Sequence, residues 1–337
     1  KLTYSLGGKV TYTDLRQLNL NTNKEIGQYF FNIFPAANLL YKIKNTSSLS
    51  ANYNGYTRQP SLQQIQPLLD NSNPLDIYLG NQNLGQSFTN SFSLTYNSYK
   101  PLTGSSLYSN LSFNMVNNDF TSYDKIDNFG RKTHQTLNVD GNYSANFYSY
   151  YYFKIKKINL GISNSISGNI SLNNNFINGY KNTNNNQSLS YGLDLDFEVK
   201  EKFEIYLNTD FNFNNSTSSL RQDIKTQFWT QEYQLSVGYY LPLKFELGGN
   251  CKFNIRQKTS EFDRNLNTTI FNAYVSKKLL KKDALEIKFS VKDIFNQNIG
   301  FNRTANSNYI NERTYTVLQR YFLIGLIWNF SKGGKNG

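Results

Sequence analysis

A period of two residues governs this chain. In 189–213, LSYGLDLDFEVKEKFEIYLNTDFNF, the residues Leu189, Tyr191, Leu193, Leu195, Phe197 and Val199 alternate with Ser190, Gly192, Asp194, Asp196 and Glu198. After Lys200-Glu201-Lys202 the alternation resumes, with Phe203, Ile205, Leu207, Phe211 and Phe213 against Glu204, Asn208, Asp210 and Asn212. Successive side chains of an extended strand point to opposite faces, so each stretch is a strand with one apolar and one wet face. What covers the apolar face then decides the fold: a second sheet, or hydrocarbon.

The same pattern recurs from end to end and predicts about fourteen strands, with bounds good to a few residues. They fall near 2–14, 35–44, 48–58, 87–99, 105–118, 134–150, 158–174, 188–199, 203–214, 226–240, 243–257, 266–279, 285–295 and 314–330. Connectors alternate as well. Short turns near 45–47, 100–104, 153–157, 200–202, 241–242 and 280–284 interleave with long connectors near 15–34, 59–86, 119–133, 175–187, 215–225, 258–265 and 296–313. Tight turns at one end and long loops at the other are the pattern of a transmembrane β-barrel. Many strands are long enough for the roughly 9–11 residues that a tilted strand needs to cross hydrocarbon. Aromatics crowd strand ends, as at Tyr148–Phe153, Tyr239-Tyr240 and Trp328 to Phe330, where interfacial girdles sit. The expected fold is therefore all-β: a transmembrane antiparallel up-and-down β-barrel whose apolar faces meet lipid. Asp194, Asp196, Glu198, Lys244, Glu246, Lys252, Asn254 and Arg256 would then line a hydrated lumen.

Composition narrows the chemistry. Charged residues make up 17% and aromatics 16% of 337 residues, a mix that argues against disorder. Net charge is +12, but the lysines and arginines are dispersed apart from Lys154–Lys157 and Lys277–Lys282, which fall at turns, so nucleic acid is not an expected partner. No apolar run is long enough for a spanning helix. Cys251 is the one cysteine and His134 the one histidine, which rules out an intrachain disulfide and multi-histidine zinc sites. Asp119, Asp124 and Asp127 lack calcium-loop spacing. Gly7-Gly8, Gly248-Gly249 and Gly333-Gly334 lack the context of phosphate loops. No cofactor, metal or catalytic residue is expected, and the chain does not read as an enzyme.

Several stretches resemble a known family. FFNIFPAANLLYKI and YNGYTRQPSLQQIQPLLDNSNPLDIYLGNQNL, with Phe34-Pro35, Leu39, Tyr41, Arg58, Pro60-Ser61, Gln64, Pro67, Asp70, Pro74, Ile77, Gly80-Asn81 and Leu84, are similar to the C-terminal barrel of TonB-dependent receptor-like outer-membrane proteins of Bacteroidetes type. So are VKDIFNQN, with Asp293, Phe295 and Asn296, and RYFLIGLIWNF, with Arg320, Tyr321, Gly325, Leu326, Trp328 and Phe330. The resemblance spans about 30–330 and marks Arg58, Pro60, Asp70, Gly80 and Asn81 as a family-motif loop. It implies a barrel of about 22 strands around a plug, of which this chain would be a C-terminal fragment. Residues 1–330 would be the barrel portion and 331–337 a flexible periplasmic tail. The implied location is the bacterial outer membrane. The implied partners are its lipid, a plug domain, TonB and a surface lipoprotein. The implied function is energised uptake of an iron chelate, glycan or peptide. The alternative is a non-transporting barrel that serves as adhesin, anchor or simple pore.

Overall fold

A computed structural model describes residues 1–20, 23–66, 69–70, 75–222, 226–258, 266–305 and 310–330. Strand β1 (Leu2–Asn19) leads to β2 (Lys24–Lys44) and β3 (Ser47–Arg58). One helical turn, α1 (Leu62–Ile65), and two short strands, β4 (Leu69–Asp70) and β5 (Asp76–Leu79), precede β6 (Ser87–Lys100) and β7 (Ser105–Asn117). A hairpin of β8 (Asp119–Ile126) and β9 (Lys132–Val139) intervenes before the next run. That run is β10 (Asn142–Ile155), β11 (Leu160–Ile177), β12 (Tyr180–Val199), β13 (Phe203–Ser218), β14 (Thr226–Leu241), β15 (Phe245–Arg256), β16 (Leu266–Leu279) and β17 (Leu285–Lys292). A separate hairpin, β18 (Gly300–Ala305) with β19 (Ile310–Tyr315), leads to β20 (Tyr321–Trp328).

Fourteen of these strands form one antiparallel meander in the order β1, β2, β3, β6, β7, β10 to β17, β20. The register carries the alternation from strand to strand, because directly opposed residues share a face. Leu39, Ala51, Leu94, Leu111 and Phe147 stand in one row. Leu195, Leu207, Leu235, Cys251 and Phe271 stand in another. One position along, Asp194, Asn208, Gln234 and Lys252 form the matching row of the polar face. Aromatic rungs cross the apolar face: Tyr53–Phe92–Phe113–Tyr143, with successive centroids 4.7, 6.5 and 6.1 Å apart, and Tyr191–Phe211–Tyr233–Phe253, at 6.4, 5.7 and 6.3 Å.

No second layer among the described residues covers this face. Among the described residues the buried hydrophobic side chains are Phe30, Ile65, Leu84 and Val139 alone, while Leu189 is 48%, Leu235 42% and Ile324 76% exposed. A soluble sandwich would place such rows in its interior. Among the described residues no helix is long and apolar enough to cross a membrane. The apolar rows also stop short of the strand ends. In β12 the apolar-face positions are apolar from Leu189 to Val199 and become Gln187, Asn185 and Thr183 toward the hairpin tip, so the apolar stretch has the length of one tilted crossing, roughly 9–11 residues.

The expected barrel is not what the strands form. The sheet is open: among the described residues β1 pairs only with β2 and β20 only with β17, so the first and last strands of the meander do not meet, and no closed cylinder, of fourteen strands or of about 22, is present. Hydrocarbon's intolerance of free strand edges favours closure, but the pattern of side chains does not enforce it. Alternation is a property of each strand singly and does not name the partner of an outermost one. The up-and-down order is also interrupted, since β5 runs parallel to β9 and β8 parallel to the tip of β11.

Several expected connectors are strands too. Residues 175–187 hold a hairpin turned at Asn178-Gly179, whose φ values of 50 and 86° give the two left-handed residues of a type I′ turn. The 119–133 connector holds β8 and the start of β9, and the expected strand 134–150 is two, β9 and β10, separated at Asp140-Gly141.

Candidate functional site

Two regions carry polar groups in organised form: the wet face of β12 to β17, and the layer built on the long-loop end by 59–86 with β8 and β9.

On the wet face, the polar half of the alternation places Asp194, Asp196, Glu198, Glu246, Lys252, Asn254 and Arg256 on one side of the sheet. Asp194 accepts from Asn208 Nδ2 at 2.7 Å and from the Tyr206 hydroxyl at 3.2 Å. Lys252 Nζ lies 2.7 Å from Glu232. Asn254 Nδ2 donates to Thr268 at 3.2 Å, and the Arg256 guanidinium stacks 4.8 Å over the Phe228 ring. Glu246 accepts from the Tyr274 hydroxyl at 2.5 Å, and Lys288 Nζ sits 3.5 Å over the Tyr274 ring. Asp196, Glu204, Tyr206, Asn250, Tyr274 and Lys288 line a recess of about 520 Å³. Lys244 does not belong to this face. It lies in the turn Pro242–Lys244, with φ of 63°, and pairs with Asp283 at 2.5 Å. Glu232 and Tyr274 were not singled out by the sequence, yet register finds them. The turn at 242–244 sets Glu232 opposite Asn254, one step from Lys252, and the next hairpin sets Tyr274 opposite Gly248, beside Glu246.

The loop layer folds because each of its ends is tied down. Ser61 caps α1: its hydroxyl accepts from the Gln64 N–H at 3.3 Å, while the Gln64 side chain accepts from the Ser61 N–H at 2.9 Å, the reciprocal arrangement of a capping box. Arg58, at the end of β3, reaches Asp119 at 3.2 Å and lies 4.8 Å over the Phe120 ring. Pro60 is buried. Asp70 pairs through its backbone with Tyr78 of β5. Gly80 is packed against the backbone of Gln66 so closely that a Cβ would overlap the Gln66 carbonyl, so only glycine fits. Asn81 donates its backbone N–H to Gln64 at 2.6 Å and its side-chain amide to the Thr136 carbonyl at 3.0 Å. Ile65 and Leu84, each 1% exposed, form the small core beneath. The structure thus brings Arg58, Pro60, Gly80 and Asn81 into one block that sits on β8 and β9. Side-chain amides bind this block to the sheet, with Gln28 Nε2 donating to Gln82 and Leu84 carbonyls at 3.0 and 3.1 Å.

The three loop carboxylates are each engaged separately. Asp119 holds Arg58, Asp127 holds Arg131 at 2.7 Å, and Asp124 accepts from His134 Nδ1 at 2.6 Å. Among the described residues no cluster of carboxylates, histidine or cysteine could hold a metal. His134 is oriented by Asp124 and lies against Tyr78, ring centroids 5.6 Å apart; this pairing ties the β8–β9 hairpin across its register rather than serving a nucleophile.

The hydrogen bond from His134 holds the Asp124 carboxyl below the usual aspartate range, assisted by the charge of Lys132 against the opposing effect of burial. A carboxylate with a depressed value stabilises the fold above its unfolded value, near 3.9, and loses that contribution as pH falls through the folded value. Lowering pH from 5 to 2 is therefore expected to loosen the β8–β9 hairpin. The near-ultraviolet signal of the tyrosines packed there, followed on heating, should report it. Asp124→Asn should start less stable and show a shallower slope over that window, the remainder coming from Asp127, whose carboxyl Arg131 also holds low; a slope matching the wild type would show that another group is responsible.

One family model, described as the Outer membrane protein beta-barrel family, matches residues 1–328. No curated protein matches the chain.

Proposed function

The chain belongs to the Outer membrane protein beta-barrel family, and from that premise we propose that it forms part of the wall of a receptor for TonB-dependent nutrient uptake. It is a protein of the bacterial outer membrane, and its family is one of membrane barrels rather than of enzymes. In this reading the apolar rows contact lipid, and the polar face from Asp194 to Arg256 borders the hydrated path of an iron chelate, glycan or peptide. The loop layer of Arg58, Pro60, Asp70, Gly80 and Asn81 lies on the cell surface with the long loops. The short turns face the periplasm, where a plug domain and TonB act, and a surface lipoprotein covers the loop end. Residues 1–330 act as the membrane unit and 331–337, outside the described residues, as its tail.

The observation that most supports this reading is the separation of apolar and polar rows through the register of most meander strands, β12 to β17 above all, which suits a wall between lipid and water. Cells that carry the full gene should take up one of the three ligand classes, and an uncoupler of the proton gradient should stop that uptake. Uptake that persists with the uncoupler, or no uptake of any class, would count against energised transport.

A further inference from the structure

The net charge of +12 is not spread evenly along the strands. The turns that join β2–β3, β6–β7, β10–β11, β12–β13, β14–β15 and β16–β17 lie at one end of the meander, and each carries lysine at or beside it: Lys44, Lys100, Lys156, Lys202, Lys244 and Lys282, all exposed. Arginine does not occur at that end. Of the six, Lys244 is paired, with Asp283; at the long-loop end arginines pair with carboxylates, as in Arg16–Asp14, Arg58–Asp119 and Arg131–Asp127. The lysine fence lies level with the edge of the apolar rows. Lys277 marks that level. It stands opposite Phe245 on the apolar face, and its Nζ lies 4.4 Å over the Phe245 ring. An ammonium on a lipid-facing surface reaches water or headgroups by laying its stem along apolar neighbours.

We propose that this fence is a binding surface for anionic phospholipid headgroups of the leaflet at the short turns. The proposal rests on the reading that the apolar rows face lipid. The geometry favours a membrane surface over a protein. The cations recur at turn after turn across the sheet, from β2–β3 to β16–β17, all at the same end of the meander. A plane of phosphates meets all of them, whereas a protein partner would cover one sector. Lysine suits this task because a flexible stem carries a point charge to whichever phosphate is near. Each lysine at an anionic surface is worth roughly a fivefold gain in affinity at low salt.

The test uses the full chain with vesicles of phosphatidylcholine alone or with three parts in ten of phosphatidylglycerol, separated by flotation. At low salt, association with the anionic vesicles should exceed that with the neutral ones at least tenfold, and high salt should remove the difference. The combined Lys156→Gln, Lys157→Gln, Lys281→Gln and Lys282→Gln chain should lose most of that preference and keep its association with neutral vesicles. A far-end control, Lys125→Gln, Arg131→Gln, Lys132→Gln and Lys181→Gln, should keep the preference. Equal association of the wild type with both vesicles, or the same loss in the control, overturns the headgroup proposal alone. No association with either vesicle overturns the lipid-facing reading together with it.

Discussion

Asn182→Ala is expected to open the outer part of the β11–β12 hairpin while leaving its membrane-length part intact. Asn182 is fully buried, at 0% exposure. Its amide nitrogen donates to Asn175 at 3.0 Å and Asn184 at 3.2 Å. Its carbonyl accepts from the Ser218 hydroxyl at 2.6 Å, the Ser219 hydroxyl at 3.3 Å and the Leu220 N–H at 3.2 Å. One side chain thereby joins three strands, β11, β12 and β13, in a stretch where 182–188 of β12 and 214–218 of β13 are polar throughout and Phe176 and Ile177 of β11 supply half-buried apolar area. Alanine leaves several buried groups unpaired, at about 1–3 kcal/mol each. A total of about 3–4 kcal/mol is expected, or some two decades in the local opening equilibrium. Limited proteolysis should therefore cut the variant within 175–186 far faster than the wild type, while 189–199 stays protected in lipid or detergent. Asn182→Asp should be at least as severe, because it turns a donor facing the Asn175 carbonyl into a second acceptor. Unchanged cleavage in both variants would mean that the tip is held by its backbone ladder alone.

That tip also shows what the sequence concealed. Beyond Leu189 the polar run 181–188 ends the apolar alternation of β12, and a search for that alternation stops there, yet the strands continue to Asn178-Gly179. Backbone pairing needs no apolar face when asparagine and serine side chains bridge the strands, and the Asn-Gly pair marks such a hairpin. The expected strand 134–150 failed for the opposite reason. Its alternation runs on past Asp140-Gly141, where the chain turns out of the side hairpin and into the main sheet. Within the membrane-length portions the reading was close, as for 203–214 and 243–257 against Phe203–Ser218 and Phe245–Arg256, because there one face stays apolar and keeps the period. Lys244 sits at a turn, where period-two facing ends, so the alternation does not assign its face. The free edges of β1 and β20 were beyond such reasoning, since side-chain pattern records what a face touches and not what an edge pairs with.

The lipid-facing reading makes its sharpest demand at two adjacent residues. Leu235 is in the middle of the apolar stretch from Trp229 to Leu241 in β14 and is 42% exposed, between Leu207 and Cys251 in the row. Gln234 precedes it on the polar face, between Asn208 and Lys252. In water the two sites would tolerate arginine almost equally, since neither is buried. In a bilayer they differ, because arginine on the lipid side at mid-depth costs about 2–4 kcal/mol, whereas a site on the wet side has no such penalty. Leu235→Arg should thus lower the urea midpoint of the vesicle-inserted protein and cut its insertion yield by one to two decades, with Gln234→Arg close to wild type. Leu243→Arg, in the turn beyond the band, should also be nearly silent, since the cost fades to about 0–1 kcal/mol at the interface. If Leu235→Arg and Gln234→Arg behave alike, the apolar rows do not face hydrocarbon, and the wall between lipid and water is lost with them.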